Sequence, residues 1–347
     1  MMRHTVRLSE TGETFDVEPE ESILDAATRA GVPMAHECTF GGCATCRVKL
    51  EEGSVYYEDF PMALTEEEHA QGFALACQAR IKENVVVTPA GGQMELPDPA
   101  EMKATVVSAE PLTEHITHLT LQLPEDEDVT YVAGQHLHIN LPGYGERTFS
   151  MTSAFAFGNM VELDVKRIPG GHFTETVLPQ LKEGDELDVS IPHGNFYYRT
   201  EDWRPMLMIA TGTGIAPIRA ILESLLDDDD CPPVSLYWGM RETSDLYLKD
   251  EIESWSDRLF EFEFVPVLSR GGDAWQGRTG YVQKAIQKDF DDLSEYAFYL
   301  CGSPEMIADT KKVLFELGAD PEFVYSDSFT FGALEQQAKE GVDHVAA

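Results

Sequence analysis

Cys38, Cys43 and Cys46 stand in a C-x4-C-x2-C pattern within residues 36–46, and Cys77 follows in Leu75-Ala76-Cys77-Gln78. This spacing constrains the fold more than any other feature of the chain. It suits a [2Fe–2S] cluster, which takes three thiolates from one tight loop and a fourth from a distant segment. Two irons bridged by sulfide need four thiolates converging on a small diamond, so the loop must curl around it. Gly41 and Gly42 suit that curl, because glycine adopts positive φ and lets the backbone approach closely. Zinc sites usually pair two C-x2-4-C knuckles, and this pattern crowds three ligands into one loop. Disulfides fit less well still, since three cysteines this close point to metal binding in a chain without an export signal.

At 347 residues the chain has room for two or three domains, and its 43% hydrophobic content can supply their cores. The first residues, Met1-Met2-Arg3-His4-Thr5-Val6, lack an apolar signal core, so secretion is not expected. No apolar run approaches the ~18 residues of a membrane span, which makes a cytoplasmic location the expectation. The 62 acidic against 25 basic side chains give a formal net charge of −37. Such a surface repels nucleic-acid phosphates and anionic membranes, so neither partner is expected. Two readings of the charge remain. An acidic face can steer a basic redox partner, or surplus carboxylates can mark a halophilic surface screened by salt. The spread of acidic residues along the whole chain favours salt adaptation as the main cause.

Residues 1–95 read as one module. Thr5-Val6-Arg7-Leu8 and Thr14-Phe15-Asp16-Val17 alternate polar and apolar around a turn, which predicts a hairpin. Ser22 reads as the cap of a helix over 23–30 that Gly31 stops. A strand at 47–50 follows the cysteine loop, and another at 84–88 follows Cys77. This succession resembles the β-grasp fold of plant-type ferredoxins. Pro89-Ala90-Gly91-Gly92 and Leu96-Pro97-Asp98-Pro99 then read as a linker.

Residues 100–201 carry short alternating runs at 103–109, 116–123, 136–141 and 161–167, split by Gly, Pro and Asp turns, which predicts a small β-barrel. Arg147-Thr148-Phe149-Ser150 resembles the R-x-Y-S flavin motif of the ferredoxin–NADP reductase superfamily, and Gly170-Gly171-His172-Phe173-Thr174 resembles its companion phosphate motif. Arg147 offers a bidentate guanidinium to a phosphate. The amides of Gly170 and Gly171, at a helix start, would cradle the rest of a pyrophosphate. Thr148 and Ser150 can hydrogen-bond a flavin edge. Phe149 replaces the family's Tyr and loses a hydroxyl contact, so weaker flavin retention is expected. Pyrophosphate binding implies FAD. His136, His138 and His172 read as packed or solvated, with no catalytic role.

Residues 203–334 alternate strands and helices, as a doubly wound α/β domain requires. The apolar run Pro205 to Ala210 leads through Thr211-Gly212-Thr213-Gly214-Ile215-Ala216-Pro217 into a helix, the strand–turn–helix arrangement that binds a dinucleotide pyrophosphate. Pro217 stands where the third glycine of the usual motif would be. Further strands are predicted at 234–241, 263–267 and 296–301, and 335–347 reads as an acidic tail. Cys231 reads as a packing or surface cysteine, and Asp227 to Asp230 as a solvated helix end.

The segments at 212–217, 237–247, 299–307 and 324–329 resemble the NAD(P)H domain of oxygenase reductases in that superfamily. With the ferredoxin module first, the chain resembles the three-domain NADH reductases of bacterial multicomponent oxygenases, such as those serving benzoate, naphthalene, xylene, phenol and methane oxygenases. The resemblance implies [2Fe–2S], FAD and NADH as cofactors. It places Thr211, Gly212, Thr213, Gly214, Pro217 and Arg241 on the dinucleotide, and Phe173 and Thr174 with the flavin motif. Cys301 and Gly302 would lie beside the nicotinamide. Phe329 would cover the flavin until nicotinamide displaces it, with Asp327 nearby. A packing role for Cys301 is the lesser alternative.

The fold class implied is multidomain α+β and α/β: a β-grasp [2Fe–2S] ferredoxin, a flavin-binding β-barrel and a doubly wound nucleotide-binding domain. NADH gives two electrons as hydride, whereas the cluster takes one at a time, and FAD reconciles the two. A cluster of this type sits near about −400 mV. The implied partner is a terminal oxygenase, either a Rieske dioxygenase or a diiron monooxygenase, with a separate ferredoxin as an intermediary in some systems. A monomer is expected. NADPH remains open, because Ser269-Arg270 could hold a 2′-phosphate. The rival readings are a reductase for a cytochrome P450 or a sugar-deoxygenation enzyme, and a redox-sensing iron–sulfur flavoprotein.

Overall fold

A computed structural model describes residues 3–89, 96–127, 129–155 and 159–329. Of the expected linker, residues 90–92 lie outside the described residues, as does the acidic tail at 335–347. The chain divides into two compact units. One comprises Met1–Gln93, Phe290–Ser294 and Gly302–Ala347, and the other Met94–Asp289 and Glu295–Cys301. Residues 203–334, expected as one segment, are shared between the two units, with 290–294 and those from Gly302 onward in the first.

In the first unit, β1 (His4–Leu8) and β2 (Thr14–Val17) form the expected hairpin, with Val6 opposite Phe15. Ser22 caps α1 (Ile23–Ala30) by accepting the Asp25 amide at 3.1 Å. Gly31 ends that helix at a φ of 72°, a conformation that costs glycine nothing. Then come β3 (Arg47–Glu52), β4 (Val55–Tyr56), α2 (Glu66–Ala70), β5 (Phe73–Leu75), β6 (Arg80–Ile81) and β7 (Val85–Pro89). The main sheet runs β2-β1-β7-β3-β5, with β1 and β7 parallel and every other pair antiparallel. Parallel strands need a crossover, and α1 lies on it, burying Ile23, Leu24, Ala26 and Ala27 in the core beneath the sheet. This is the β-grasp arrangement.

The second unit holds two sheets. β8 (Ala100–Pro111), β9 (Ile116–Gln122), β10 (His136–Leu141), β11 (Gly145–Ser150), β12 (Met160–Lys166) and β13 (Glu186–His193) form an antiparallel sheet of order β11-β10-β13-β8-β9-β12. A bridge between Met151 and Leu163 joins its two edges and closes it into a barrel. The alternating Leu187, Val189 and Ile191 escaped the sequence reading, yet β13 lies between β10 and β8. Next come β14 (Met206–Thr211), α3 (Ile215–Ser224), β15 (Val234–Met240), α4 (Lys249–Glu253), β16 (Phe262–Leu268), β17 (Arg278–Thr279), α5 (Val282–Asp289) and β18 (Ala297–Gly302). Their parallel order is β17-β16-β15-β14-β18. The order reverses at β14, and ligands of such sheets bind outside the strand ends at that switch point.

The C-terminal part of the first unit carries α6 (Pro304–Glu316), capped by Ser303, and β19 (Val324–Ser328). Lys311 on α6 is 1% exposed, which is unusual for lysine and marks a buried partner.

Candidate functional site

The loop between α1 and β3 gathers the cysteines. Thr39, Gly41 and Ala44 take positive φ values of 58°, 79° and 65°, which curls the backbone. Gly41 is used as expected. Gly42 is not left-handed, and a Cβ there would lie 2.6 Å from the Phe40 ring, which would have to shift. Cys43, Cys46 and Cys77 are buried, and Cys38 is half-buried. The thiols influence one another in two pairs, Cys38 with Cys43 and Cys46 with Cys77. The influence of Cys43 draws Cys38 down to about 7. The same interaction, together with burial, pushes Cys43 up, as that with Cys46 does for Cys77. The Gly42 amide donates to Cys38 Sγ at 3.2 Å. Four converging thiols, three of them buried and the fourth supplied with a backbone donor, fit a [2Fe–2S] cluster.

Glu68 was missed by the sequence reading, although Thr65-x-x-Glu68 is a capping-box signal. The Thr65 amide donates to Glu68 Oε2 at 2.9 Å, and the Glu68 amide donates to Thr65 Oγ1 at 3.1 Å. The other carboxylate oxygen meets Arg47 Nη1 at 3.0 Å and Lys311 Nζ at 2.9 Å. Burial opposes ionisation of this carboxyl, but Lys311 and Arg47 outweigh it and hold Glu68 below the ordinary carboxylate range.

The flavin motif lies on β11, at the barrel edge that Met151 closes. Its register sets Arg147 against Ile139, Thr148 against His138, Phe149 against Leu137 and Ser150 against His136. Ser150 Oγ is buried and has no hydrogen-bond partner among the described residues. Thr152 Oγ1, two residues on, is in the same condition. Buried hydroxyls are ordinarily satisfied, so this pair fits a polar group brought by FAD. Phe149 packs on Phe173 with centroids 5.2 Å apart, and Tyr144 stacks on His172 at 3.5 Å. Arg147 Nη1 donates to the carbonyls of Tyr144 and Glu146 at 3.0 and 2.6 Å.

The companion turn differs from its expected use. The Gly170 amide donates to Glu175 Oε2 at 2.8 Å and the Gly171 amide to the Ile168 carbonyl at 2.9 Å, so both serve the turn itself. Thr174 Oγ1 accepts the Ile168 amide at 3.0 Å. A Cβ at Gly171 would lie 2.7 Å from that hydroxyl, which accounts for the glycine.

The nucleotide turn follows β14 at the switch point. Gly212 takes a φ of 59°, and its carbonyl accepts Trp238 Nε1 at 3.0 Å. Thr211 closes β14, and Thr213, Gly214 and Pro217 are buried as the turn enters α3. Proline is tolerated in a first helical turn. A Cβ at Gly239 would lie 2.9 Å from the Thr211 methyl, so β15 must approach the turn with glycine. Arg241 is exposed past the end of β15, and its carbonyl accepts the Arg270 amide at 2.8 Å. Cys301 is fully buried in β18 beside Ala210. In the first unit Asp327 lies in β19, and the Phe329 amide donates to the Gly302 carbonyl at 2.8 Å. Cys231 is buried, pushed up to about 11 by that burial, and is a packing residue. Asp227 pairs with Arg258 at the exposed end of a loop.

Three protein families match in the same order as these sites. They are a 2Fe-2S iron-sulfur cluster binding domain over residues 6–82, an oxidoreductase FAD-binding domain over 103–198 and an oxidoreductase NAD-binding domain over 208–312. The chain is 34% identical to the reductase component DmpP of phenol 2-monooxygenase from Pseudomonas sp. (strain CF600), over 88% of each chain. The chain belongs to the ferredoxin-fused iron–sulfur flavoprotein reductases. It is also 30% identical to the CDP-6-deoxy-L-threo-D-glycero-4-hexulose-3-dehydrase reductase of Yersinia pestis, over 94% of this reductase and 99% of that one. Among solved structures, the Amycolatopsis cytochrome P450 reductase GcoB matches with a TM-score of 0.69 and 31% identity, over 94% of this chain and 99% of that one. The cofactors of this reductase are [2Fe–2S], FAD and NADH. Among the described residues, no helix is long and apolar enough to cross a membrane.

Proposed function

We propose that this reductase is the electron-transfer component of an oxygenase system. It draws electrons from NADH and delivers them to a terminal oxygenase, a Rieske dioxygenase or a diiron monooxygenase, directly or through a separate ferredoxin. The observation that carries the reading is the four-thiol cage of Cys38, Cys43, Cys46 and Cys77 in one chain with the flavin and dinucleotide modules. Bound FAD supplies the conversion between a two-electron donor and one-electron acceptors. The likeness to DmpP supports an oxygenase as the acceptor.

The chain's own residues bind and orient. Ser150 offers its buried hydroxyl to the flavin ring, flanked by Arg147, Thr148 and Phe149. Gly170, Gly171, Phe173 and Thr174 shape the turn beside it. Thr211, Gly212, Thr213, Gly214, Pro217 and Arg241 hold the dinucleotide. Cys301 and Gly302 belong to the nicotinamide position, and Asp327 and Phe329 to the segment that covers the flavin. In this reading, 1–95, 100–201 and 203–334 are the three modules, and the chain works as a cytoplasmic monomer. A second reading, a P450 or a deoxysugar dehydrase as acceptor, is favoured by the likenesses to GcoB and to the Yersinia pestis protein.

An anaerobic NADH titration of the pure protein in molar salt tests the current path, followed by absorbance and electron spin resonance. Reduction of both flavin and cluster is expected. A flavin that bleaches beside an oxidised cluster would refute the path and favour a sensor. Turnover with purified oxygenase, P450 or dehydrase components then separates the acceptors.

A further inference from the structure

The cluster loop is gripped on two sides by the C-terminal part of its own unit. On one side the Ala63 amide donates to the Gly41 carbonyl at 3.0 Å, and the Ala63 carbonyl accepts from Lys311 Nζ at 3.3 Å. Lys311 also meets Glu68 Oε1 at 2.9 Å, with side chains 1% and 0% exposed. On the other side the Ser328 hydroxyl donates to the Gly42 carbonyl. Gly41 and Gly42 sit between the ligands Cys38 and Cys43. The end of β19 therefore touches this backbone directly, and α6 reaches it through Ala63.

An apolar side chain at position 311 would fill the space at lower cost, because burying an ammonium is unfavourable unless it is paired and hydrogen-bonded. An ammonium adds direction. It must meet the Glu68 carboxylate and the Ala63 carbonyl together, which a sliding apolar contact does not require. Buried polar groups of this kind can fix register where packing alone would not. We propose that Lys311 and Ser328 are positioning residues that clamp the cluster loop in one register against the segment carrying Asp327 and Phe329. The consequence for current rests on the electron-transfer reading above. The clamp itself does not.

The test uses the full-length holoprotein with Lys311→Met, Ser328→Ala and Lys311→Arg. Hydrogen exchange is measured over the cluster loop and over β19. Either disruptive variant should speed exchange in both segments together, as loss of a shared local contact does. NADH turnover is measured with ferricyanide and with cytochrome c, one NADH reducing two cytochrome c and yielding NAD+ and a proton. Cytochrome c turnover should fall about tenfold in Lys311→Met, the order expected for a displaced redox group, with ferricyanide turnover within about twofold. Lys311→Arg should restore much of the loss. Unchanged exchange in the two segments would overturn the clamp. So would a parallel fall of both turnovers, which marks general loss of fold. If Lys311→Met does not fold, Ser328→Ala decides by the same two readouts. If the unmodified protein reduces ferricyanide but not cytochrome c, the electron-transfer reading fails, and hydrogen exchange still judges the clamp.

Discussion

Lys311 and Glu68, 243 positions apart in the sequence, meet at 2.9 Å with neither side chain more than 1% exposed. Arg47 shares the same carboxylate oxygen at 3.0 Å. Glu68→Ala should cost about 3–5 kcal/mol, because it leaves two buried cations without a counter-charge. Lys311→Met should cost less, since Arg47 still neutralises Glu68. Urea unfolding of the three proteins checks the order. Because the folded Glu68 carboxyl is held low, its stabilisation is present above the unfolded carboxylate pKa. It is lost as pH falls through the lower, folded value. Glu68→Gln should therefore flatten the acid limb of the stability curve.

His118 on β9 meets Asp164 Oδ1 on β12 at 2.8 Å, and the Tyr247 hydroxyl donates to the other oxygen of Asp164 at 2.9 Å. The hydrogen bond to Asp164 holds the imidazole above its ordinary value, against the opposing effect of burial. Its stabilisation is thus complete below the unfolded histidine pKa and lost as pH rises through the folded one. Thermal melts of His118→Gln across neutral pH should show a flatter alkaline slope than the parent. Identical slopes would remove His118 from the pH response.

Ser269 and Arg270 are exposed past β16, and Arg270 is bonded through its amide to Arg241. A guanidinium placed there can meet a 2′-phosphate, and a charged hydrogen bond contributes about 1.5–3 kcal/mol. Arg270→Ala should lower kcat/KM for NADPH about tenfold and leave that for NADH nearly unchanged. An unaltered NADH/NADPH ratio would show that Arg270 does not discriminate.

The net charge of −37 should make the fold salt-dependent. Screening shortens from about 10 Å at 0.1 M to about 3 Å at 1 M salt, which relieves repulsion among exposed carboxylates. The melting temperature should rise markedly from dilute buffer to molar salt. Equal values would leave the acidic surface to partner steering.

The sequence by itself determined the modules and most of their chemistry. The cysteine spacing, the flavin tetrapeptide and the strand–glycine–helix turn are local patterns, because a cluster, a ring edge and a pyrophosphate each need several contacts from adjacent residues. The cap at Ser22 and the stop at Gly31 were legible for the same reason. Tertiary structure decided what adjacency cannot encode. It took up the amides of Gly170 and Gly171 within their own turn, because Glu175 and Ile168 fold back onto them. It set Gly42 against the Phe40 ring and inserted β13 at the middle of the barrel sheet. It also set Lys311 and Ser328 on the cluster module, where a buried charge and a single hydroxyl acquire meaning only from partners hundreds of positions away.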